Sequence, residues 1–147
     1  MINPKLSILV ISHNQKHLLS RCLNSVLKQK LNCAYEIIVS DDASTDGTWN
    51  IILDYASRYP QLRGVQTDSN QYYITVSSER GSINKMNAYS ESKGEYVVFI
   101  DGDDYLLSDD IYQVQVEQLD KHPECFLCKQ NMTLGWDGDL EDKWWKW

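Results

Sequence analysis

The chain has 147 residues, 42% of them hydrophobic, and a formal net charge of −7. This length suits one domain with a buried core, and the acidic balance argues against nucleic acid and favours a small molecule or a metal ion as partner. The apolar runs are much shorter than the roughly 20 residues that cross a bilayer, and no leader precedes Ile2. We therefore expect a soluble, cytoplasmic chain with no transmembrane segment, and we leave peripheral attachment to a membrane open.

The chain opens with a strand and a helix. The β-branched, apolar run Leu6–Ile11 predicts a strand that is buried on both faces, and polar residues Ser12–Asn14 follow it. Asn14 is a suitable cap for a helix whose apolar residues recur at helical spacing to about Lys28. A turn between this strand and this helix is therefore predicted at Ser12–Asn14.

A second strand and helix come next. Tyr35–Val39 predicts a strand, which Ser40 and the acidic pair Asp41–Asp42 close. Ser44 or Thr45 would cap the following helix, which should end before Pro60. Three less regular segments follow. They are a short strand at Arg63–Thr67, a loop at Asp68–Gly81 and a weak helix at Ser82–Lys93 that Gly94 stops.

Tyr96–Ile100 is the clearest strand, and Asp101–Asp104 follows it without a gap. Ser108 would cap the next helix, ended by Pro123, and Cys125–Thr133 predicts a further strand. We expect three apolar residues of this helix to face inward: Ile111, Val114 and Leu119. Strands that alternate with helices predict right-handed crossovers and an α/β domain with a mainly parallel sheet.

The four cysteines do not indicate a metal or redox site. Cys125 and Cys128 have C-x-x-C spacing, but they lie in a predicted strand and no second pair of ligands stands at a suitable distance. We expect Cys22, Cys33 and this pair to be reduced thiols.

Three polar clusters should meet where parallel strands end, at the edge of the sheet that binds ligands in such folds. They are Ser12–Asn14, Asp41–Asp42 and Asp101–Asp104. Turn formation alone would explain Asp41–Asp42 about as well as a function does. Three carboxylates within four residues repel one another, which favours a bound cation. Oxygen ligands indicate Mg²⁺ or Mn²⁺, and a nucleoside diphosphate could span the second and third clusters.

Three blocks of the sequence resemble the signature blocks of family-two glycosyltransferases, in the same order and at similar separation. They are Ser7–Asn14, Glu36–Thr48 and Lys93–Asp104, and the resemblance covers about residues 5–125. It implies a GT-A fold, a three-layer α/β/α sandwich of Rossmann-like character that is truncated here. It also implies inverting sugar transfer from a nucleotide-diphosphate sugar, such as a UDP-sugar, to a saccharide or lipid-linked acceptor.

The resemblance also implies roles for individual residues at the nucleoside end of the donor. Asp42 corresponds to the carboxylate that recognises the base. His13 stands where an aromatic ring usually packs on the base, and an imidazole can stack there less extensively. Ser12, at the end of the same strand, is placed with these residues in the donor site.

At the diphosphate end, the resemblance implies a D-x-D motif. Asp101 corresponds to its first acid, near the ribose and the metal, and Asp103 to the acid that holds an Mn²⁺ or Mg²⁺ ion. Asp104 is expected to orient the turn. The family often carries an Arg-Asn pair on the preceding helix that contacts the diphosphate, and Lys85 is a substitute for it in this chain.

No catalytic base is assigned within the chain, because the resemblance places that carboxylate well downstream of the D-x-D motif. We expect one domain, with residues 1–107 binding the nucleotide-sugar and residues 108–147 beginning an incomplete acceptor part. The late acidic residues should form a solvated loop. They are Asp137, Asp139, Glu141 and Asp142.

Three other functions were weighed against an active sugar transferase. A truncated fragment could hold the nucleotide-sugar without transferring the sugar. A nucleotidyltransferase of related topology would need a glycine-rich phosphate loop after the first strand, and Ser12–Gln15 contains no glycine. A phospho-receiver domain would need its acidic pair after the first strand, whereas Asp41–Asp42 follows the second.

Overall fold

β1 (Leu6–Ser12) is the strand around which the fold is built, and all seven of its residues are buried. The computed structural model describes residues 3–67, 77–129, 135–136 and 139–140, and of residues 77–79, 135–136 and 139–140 it describes only the backbone. β1 pairs in parallel with β2 (Tyr35–Asp41) on one side and with β4 (Tyr96–Asp101) on the other. A strand enclosed on both edges and both faces must be apolar at consecutive positions, which explains the unbroken run.

The sheet has the strand order β3-β2-β1-β4, in which β3 (Leu62–Gln66) pairs in parallel with β2. Its two faces carry separate apolar clusters. Ile8 and Val10 of β1 lie in the larger cluster, and Leu9 and Ile11 lie in the smaller one. This alternation is what the period of a strand requires, and it shows that both faces of the sheet are covered.

Helices cover the two faces unequally. α1 (Leu19–Leu27), α2 (Thr48–Arg58) and α4 (Ile111–Lys121) contribute buried residues to the larger cluster, whereas α3 (Ser77–Ser90) contributes Ala88 to the smaller one. The chain steps from β1 to β2 to β3 in one direction and then returns past β1 to β4. Right-handed crossovers place the helix of the returning step on the opposite face. The predicted three-layer α/β/α fold with a parallel sheet is therefore confirmed.

The main error of the sequence prediction is the position of α3. This helix begins at Ser77, inside the segment Asp68–Gly81 that we predicted as a loop, and it ends at Ser90, before Gly94. Asp68–Val76 lies outside the described residues. The prediction failed because the buried stripe of α3 carries Asn84 beside Ala88, so the helix shows little apolar periodicity.

The predicted helix caps are also wrong, because each helix begins a few residues after the residue that we predicted as its cap. Their N-caps are Leu18, Gly47 and Asp110. The predicted caps serve the loops between elements instead. The Asn14 Oδ1 atom accepts a hydrogen bond from the Thr45 N–H at 2.9 Å. This bond joins the loop after β1 to the loop after β2.

The end of the chain departs from the prediction as well. In α4 the buried residues are Tyr112 and Val116, and Val114 is exposed. Residues 125–129 form no strand, and Phe126 is almost fully exposed. Residues 130–134 lie outside the described residues, and Gly135–Trp136 pairs with Asp139–Leu140 as a short antiparallel ladder. The apolar residues after Pro123 therefore led us to predict a strand where residues 125–129 have no partner strand within the described part of the chain.

Cys22, Cys33, Cys125 and Cys128 are free thiols. Within the described part of the chain, none of the helices is long and apolar enough to span a membrane.

A close approach beside β1 explains why Gly94 is a glycine. A Cβ atom at this position would lie 2.5 Å from the Ser7 backbone nitrogen, and 2.7 Å from the Tyr96 carbonyl oxygen. We expect Gly94→Ala to lower the free energy of unfolding by about 1–3 kcal/mol, because backbone atoms must move to admit the methyl group. Gly81→Ala in α3 is the matched control, since a Cβ atom there meets nothing within 4 Å. It should be neutral or should stabilise the fold by up to about 1 kcal/mol. Equal losses in urea denaturation would contradict this account.

Candidate functional site

A cavity of about 420 Å³ opens at the carboxyl ends of the strands. Its walls come from the end of β1, the turn after β2, the first half of α3 and the turn after β4. The lining residues are Ile11, Ser12, His13, Gln15, Asp42, Arg80, Gly81, Asn84, Asp101 and Asp103. Every residue that we predicted for the donor site lines this cavity except Lys85.

Asp42 reaches the cavity, whereas its neighbour Asp41 does not. The Asp41 carboxylate is fully buried and accepts hydrogen bonds from the Ser44 N–H at 3.0 Å and the Gln66 Nε2 at 3.1 Å, so it stabilises the turn. Asp42 is 4% exposed, and its backbone N–H donates to the Ser12 carbonyl at 2.9 Å. The turn-forming interpretation therefore holds for Asp41, and Asp42 is available for a ligand.

The two carboxylate oxygens of Asp42 have different surroundings. Oδ2 lies 3.2 Å from the Arg80 Nε and 4.0 Å from the His13 Nδ1. Oδ1 is buried, and among the described residues it has no hydrogen-bond partner. We did not predict Arg80 as a site residue from the sequence, because it falls in the segment that we predicted as a loop.

His13 is oriented by hydrogen bonds at both ring nitrogens. Nδ1 lies 2.6 Å from the Asp42 carbonyl oxygen, and the Asn14 Nδ2 lies 3.2 Å from Nε2. A carbonyl can only accept and an amide nitrogen can only donate, so this arrangement selects the tautomer with hydrogen on Nδ1. The side chain is 44% exposed and leaves ring surface open to the cavity.

Asn84 ties α3 to the ends of both central strands. Its Nδ2 donates to the Ser12 and Ser40 carbonyl oxygens, each at 3.2 Å, and its Oδ1 accepts from the Ser40 hydroxyl at 2.5 Å. The side chain is 1% exposed. We assigned no role to Asn84 from the sequence. The spacing of Arg80, Asn84 and Ala88, four residues apart, is the signal that could have revealed this face of α3.

The acidic turn after β4 is held by its backbone. The Gly102 N–H donates to the Ile11 carbonyl at 2.8 Å, and the Asp104 N–H donates to the Asp101 carbonyl at 2.9 Å. A Cβ atom at Gly102 would collide with the Gln15 Oε1 and would lie 3.2 Å from the Ile11 carbonyl oxygen. Glycine between the two acids therefore lets the turn pack closely on the end of β1.

Negative charge is concentrated at this turn. Burial, together with the charges of Asp103 and Asp101, raises the pKa of the Asp104 carboxyl above its ordinary value. Burial and the same acidic residues raise the pKa of the Cys22 thiol to about 12, so the thiol is protonated and can donate to the Asp101 carbonyl, 3.6 Å away. The turn is therefore a place where a cation would lower the electrostatic energy.

Lys85 partly balances this charge from outside the cavity wall. Its Nζ lies 3.6 Å from the Asp101 Oδ1, and both side chains are about half exposed. Among the described residues, no group of three or more His, Cys, Asp or Glu side chains could hold a metal ion by itself. Any ion bound at Asp101 and Asp103 would therefore need further ligands from water or from a bound molecule.

Three buried oxygens in the cavity wall have no hydrogen-bond partner within the described part of the chain. They are the Ser12 Oγ, the Gln15 Oε1 and the Asp42 Oδ1. Buried polar atoms without partners are costly, and their convergence on one cavity is typical of a ligand site. Gln15 was not predicted, because nothing in its local sequence distinguishes it from a surface residue.

Comparison with known proteins identifies the family. The model of "Glycosyl transferase family 2" matches residues 7–140. The chain belongs to glycosyl transferase family 2. An uncharacterised protein of Mycobacterium tuberculosis is 38% identical over 93% of this chain and 38% of its own length. The poly(ribitol-phosphate) beta-glucosyltransferase of Bacillus spizizenii is 34% identical over 71% of this chain and 16% of its own.

A solved structure shows that the fold is that of the GT-A glycosyltransferases. Residues 1–349 of TarS from Staphylococcus aureus, in complex with UDP, match with a TM-score of 0.67 and 28% identity, over 81% of this chain and 33% of that one. This chain therefore spans well under half the length of the proteins that it resembles.

The raised pKa of Asp104 implies a pH dependence. An unfolded carboxyl titrates near 3.8, and the folded one titrates higher, so the folded state binds more protons within this window. The contribution of Asp104 to the free energy of unfolding is therefore lost as the pH rises through the pKa of the folded state. We expect Asp104→Asn to be more stable than the wild type at pH 7 in metal-free buffer, with the gain disappearing below about pH 3.8. Asp109→Asn, at a surface ion pair with Lys30, is the control and should show no such gain. A pH-independent effect of Asp104→Asn in urea denaturation would refute this explanation.

Proposed function

We propose that this chain is the nucleotide-sugar-binding part of an enzyme that transfers a sugar, with inversion, from a nucleoside diphosphate sugar to an acceptor hydroxyl. The observation that supports it is the convergence of three unpartnered buried oxygens with the acidic turn on one cavity. A nucleoside diphosphate carries hydrogen-bond donors at its base and ribose, which suit the unpartnered oxygens. Its negative phosphates suit the acidic turn when a divalent cation lies between the two groups.

We assign the base to the Asp42 end of the cavity. The unpartnered Oδ1 suits a ring N–H, and the exposed His13 ring can stack on a base that is held there. The Ser12 hydroxyl and the Gln15 Oε1 line the same cavity. The Oε1 can accept from a ribose hydroxyl, and the Ser12 hydroxyl can accept from a ribose hydroxyl or donate to a phosphate oxygen. These roles extend the assignments of His13, Asp42 and Ser12 that the sequence suggested.

We assign the diphosphate, with Mn²⁺ or Mg²⁺, to the Asp101 and Asp103 end. The fit is supported by the ligand chemistry, because such ions take one or two protein carboxylates and complete their coordination with water and phosphate oxygens. The pKa of Asp104 is raised first by burial and then by the charges of Asp103 and Asp101, and this contribution from charge points the same way. When bound, the ion would neutralise charge on the departing nucleoside diphosphate.

The residues of this chain position the donor for that chemistry. The backbone hydrogen bond from the Gly102 N–H to the Ile11 carbonyl holds the acidic turn against β1, so that Asp101 and Asp103 are positioned before a ligand binds. Lys85, beside Asp101, is placed to move toward a diphosphate oxygen. None of the described residues is assigned as the catalytic base.

UDP is the diphosphate that we propose for the donor, and a saccharide or a lipid-linked sugar is the proposed acceptor. Two similar proteins support this choice: TarS has been solved in complex with UDP, and the Bacillus spizizenii relative is named as a glucosyltransferase. The alternative, a chain that binds the nucleotide-sugar without transferring it, shares the same donor site. Sugar transfer measured with a panel of acceptors would separate the two.

The metal assignment predicts a selective loss. We expect Asp103→Ala to lower the affinity for UDP in the presence of Mn²⁺ by at least about tenfold, since a charged ligand contributes about 1.5–3 kcal/mol, and to leave Mn²⁺-free binding nearly unchanged. Asp109→Ala, outside the cavity, is the control. Calorimetric titration that gives Asp103→Ala the affinity of the wild type would remove Asp103 from the metal site.

The base assignment predicts a different loss. Asp42→Ala should weaken UDP by about tenfold or more while changing the affinity for inorganic diphosphate by much less, because Asp42 lies at the nucleoside end. Inorganic diphosphate is the internal control for any general distortion of the cavity. Equal losses for the two ligands, measured by calorimetry, would show that Asp42 does not contact the base.

A further inference from the structure

Arg80 makes the two oxygens of the Asp42 carboxylate inequivalent. The Arg80 Nε lies 3.2 Å from the Asp42 Oδ2, while the buried Oδ1 has no hydrogen-bond partner among the described residues. The Arg80 side chain is about one third exposed and the Asp42 side chain is 6% exposed, so the pair forms part of the cavity wall. A ligand therefore meets two different oxygens: Oδ1, which is unpartnered, and Oδ2, which lies beside the positive charge of Arg80.

The position of Arg80 is set by the helix that carries it. Arg80, Asn84 and Ala88 follow one another at four-residue spacing, so they share one face of α3. Asn84 is hydrogen-bonded to the ends of β1 and β2, and Ala88 is packed in the apolar cluster below. Two turns of α3 are thereby fixed against the sheet, and they hold the Arg80 backbone over Asp42.

Nucleobases differ in the donors that they present along one edge. Guanine presents two adjacent donors, N1–H and the exocyclic amino group, which a carboxylate with two open oxygens can accept in parallel. Uracil presents one N–H between two carbonyl oxygens. An Asp42 carboxylate with Arg80 at Oδ2 suits the single N–H of uracil, and the guanidinium charge suits the adjacent carbonyl. The same charge repels the second donor of guanine, which would approach Oδ2 beside the guanidinium.

We propose that Arg80 is a specificity-determining residue, which makes this cavity disfavour guanine nucleotides relative to uracil nucleotides. This inference rests on the proposed function, because it assumes that the Asp42 end of the cavity holds the base. It adds a residue that the sequence did not suggest, and it gives that residue a role separate from holding the diphosphate.

The test compares UDP, GDP and inosine diphosphate by calorimetric titration of the protein with Mn²⁺. Inosine diphosphate has the ring system of GDP but lacks the exocyclic amino group, so it controls for the size of a purine. We expect UDP to bind at least about tenfold more tightly than GDP, and inosine diphosphate about fivefold or more tightly than GDP. GDP that binds as tightly as inosine diphosphate would overturn the proposal without any variant.

Arg80→Gln adds a second test, and Arg58→Gln, on the exposed surface of α2, is its matched control. In Arg80→Gln the preference for inosine diphosphate over GDP should disappear, because the positive charge that repels the guanine amino group at Oδ2 is removed, and the control should keep the preference. An unchanged preference in folded Arg80→Gln would overturn the role of Arg80 while leaving the donor site intact. If the wild type binds none of the three nucleotides, the proposed function fails together with this inference.

Discussion

The hydrogen bonds of the Asn84 side chain are the interaction on which the site depends. One carboxamide from α3 donates to two backbone carbonyls at the carboxyl ends of β1 and β2, those of Ser12 and Ser40, and the Ser12 carbonyl also accepts from the Asp42 N–H. The Asn84 side chain is almost fully buried, so water cannot take its place at these carbonyls. Without these hydrogen bonds, buried polar groups would be left with fewer partners, which is costly. α3 is thereby held at the ends of β1 and β2, where the cavity opens.

From that tie, the two ends of the cavity acquire different chemistry. α3 brings Arg80 beside Asp42, where one oxygen is left for a ligand, and it brings Lys85 beside Asp101 at the acidic turn. The parallel sheet sets the separation between these ends, because β1 lies between the strand that leads to Asp42 and the strand that ends at Asp101. A ligand with a base at one end and a diphosphate at the other suits this arrangement.

The alternation of strands and helices along the chain and the acidic turns after two of the strands could be predicted from the sequence. Buried parallel strands need continuous apolar runs, and the turns that follow them need polar residues, so Leu6–Ile11 and Tyr96–Ile100 were correctly placed. Arg80 and Gln15 could not be predicted, because their roles depend on partners distant in sequence. α3 was displaced because it is anchored by an amide and not by an apolar stripe, and Cys125–Thr133 was misread because apolar content alone does not supply a partner strand.

The claim that the cavity at the strand ends is a nucleoside diphosphate site can be tested most directly by titrating isotope-labelled protein with UDP and Mg²⁺ and following the backbone amide resonances. The account predicts the largest shifts at Ser12–Gln15, at Asp42, at the Arg80–Asn84 turn of α3 and at Asp101–Asp104, with small changes at the amino ends of the strands. Absence of shifts at saturating UDP, or shifts centred on the opposite edge of the sheet, would contradict it.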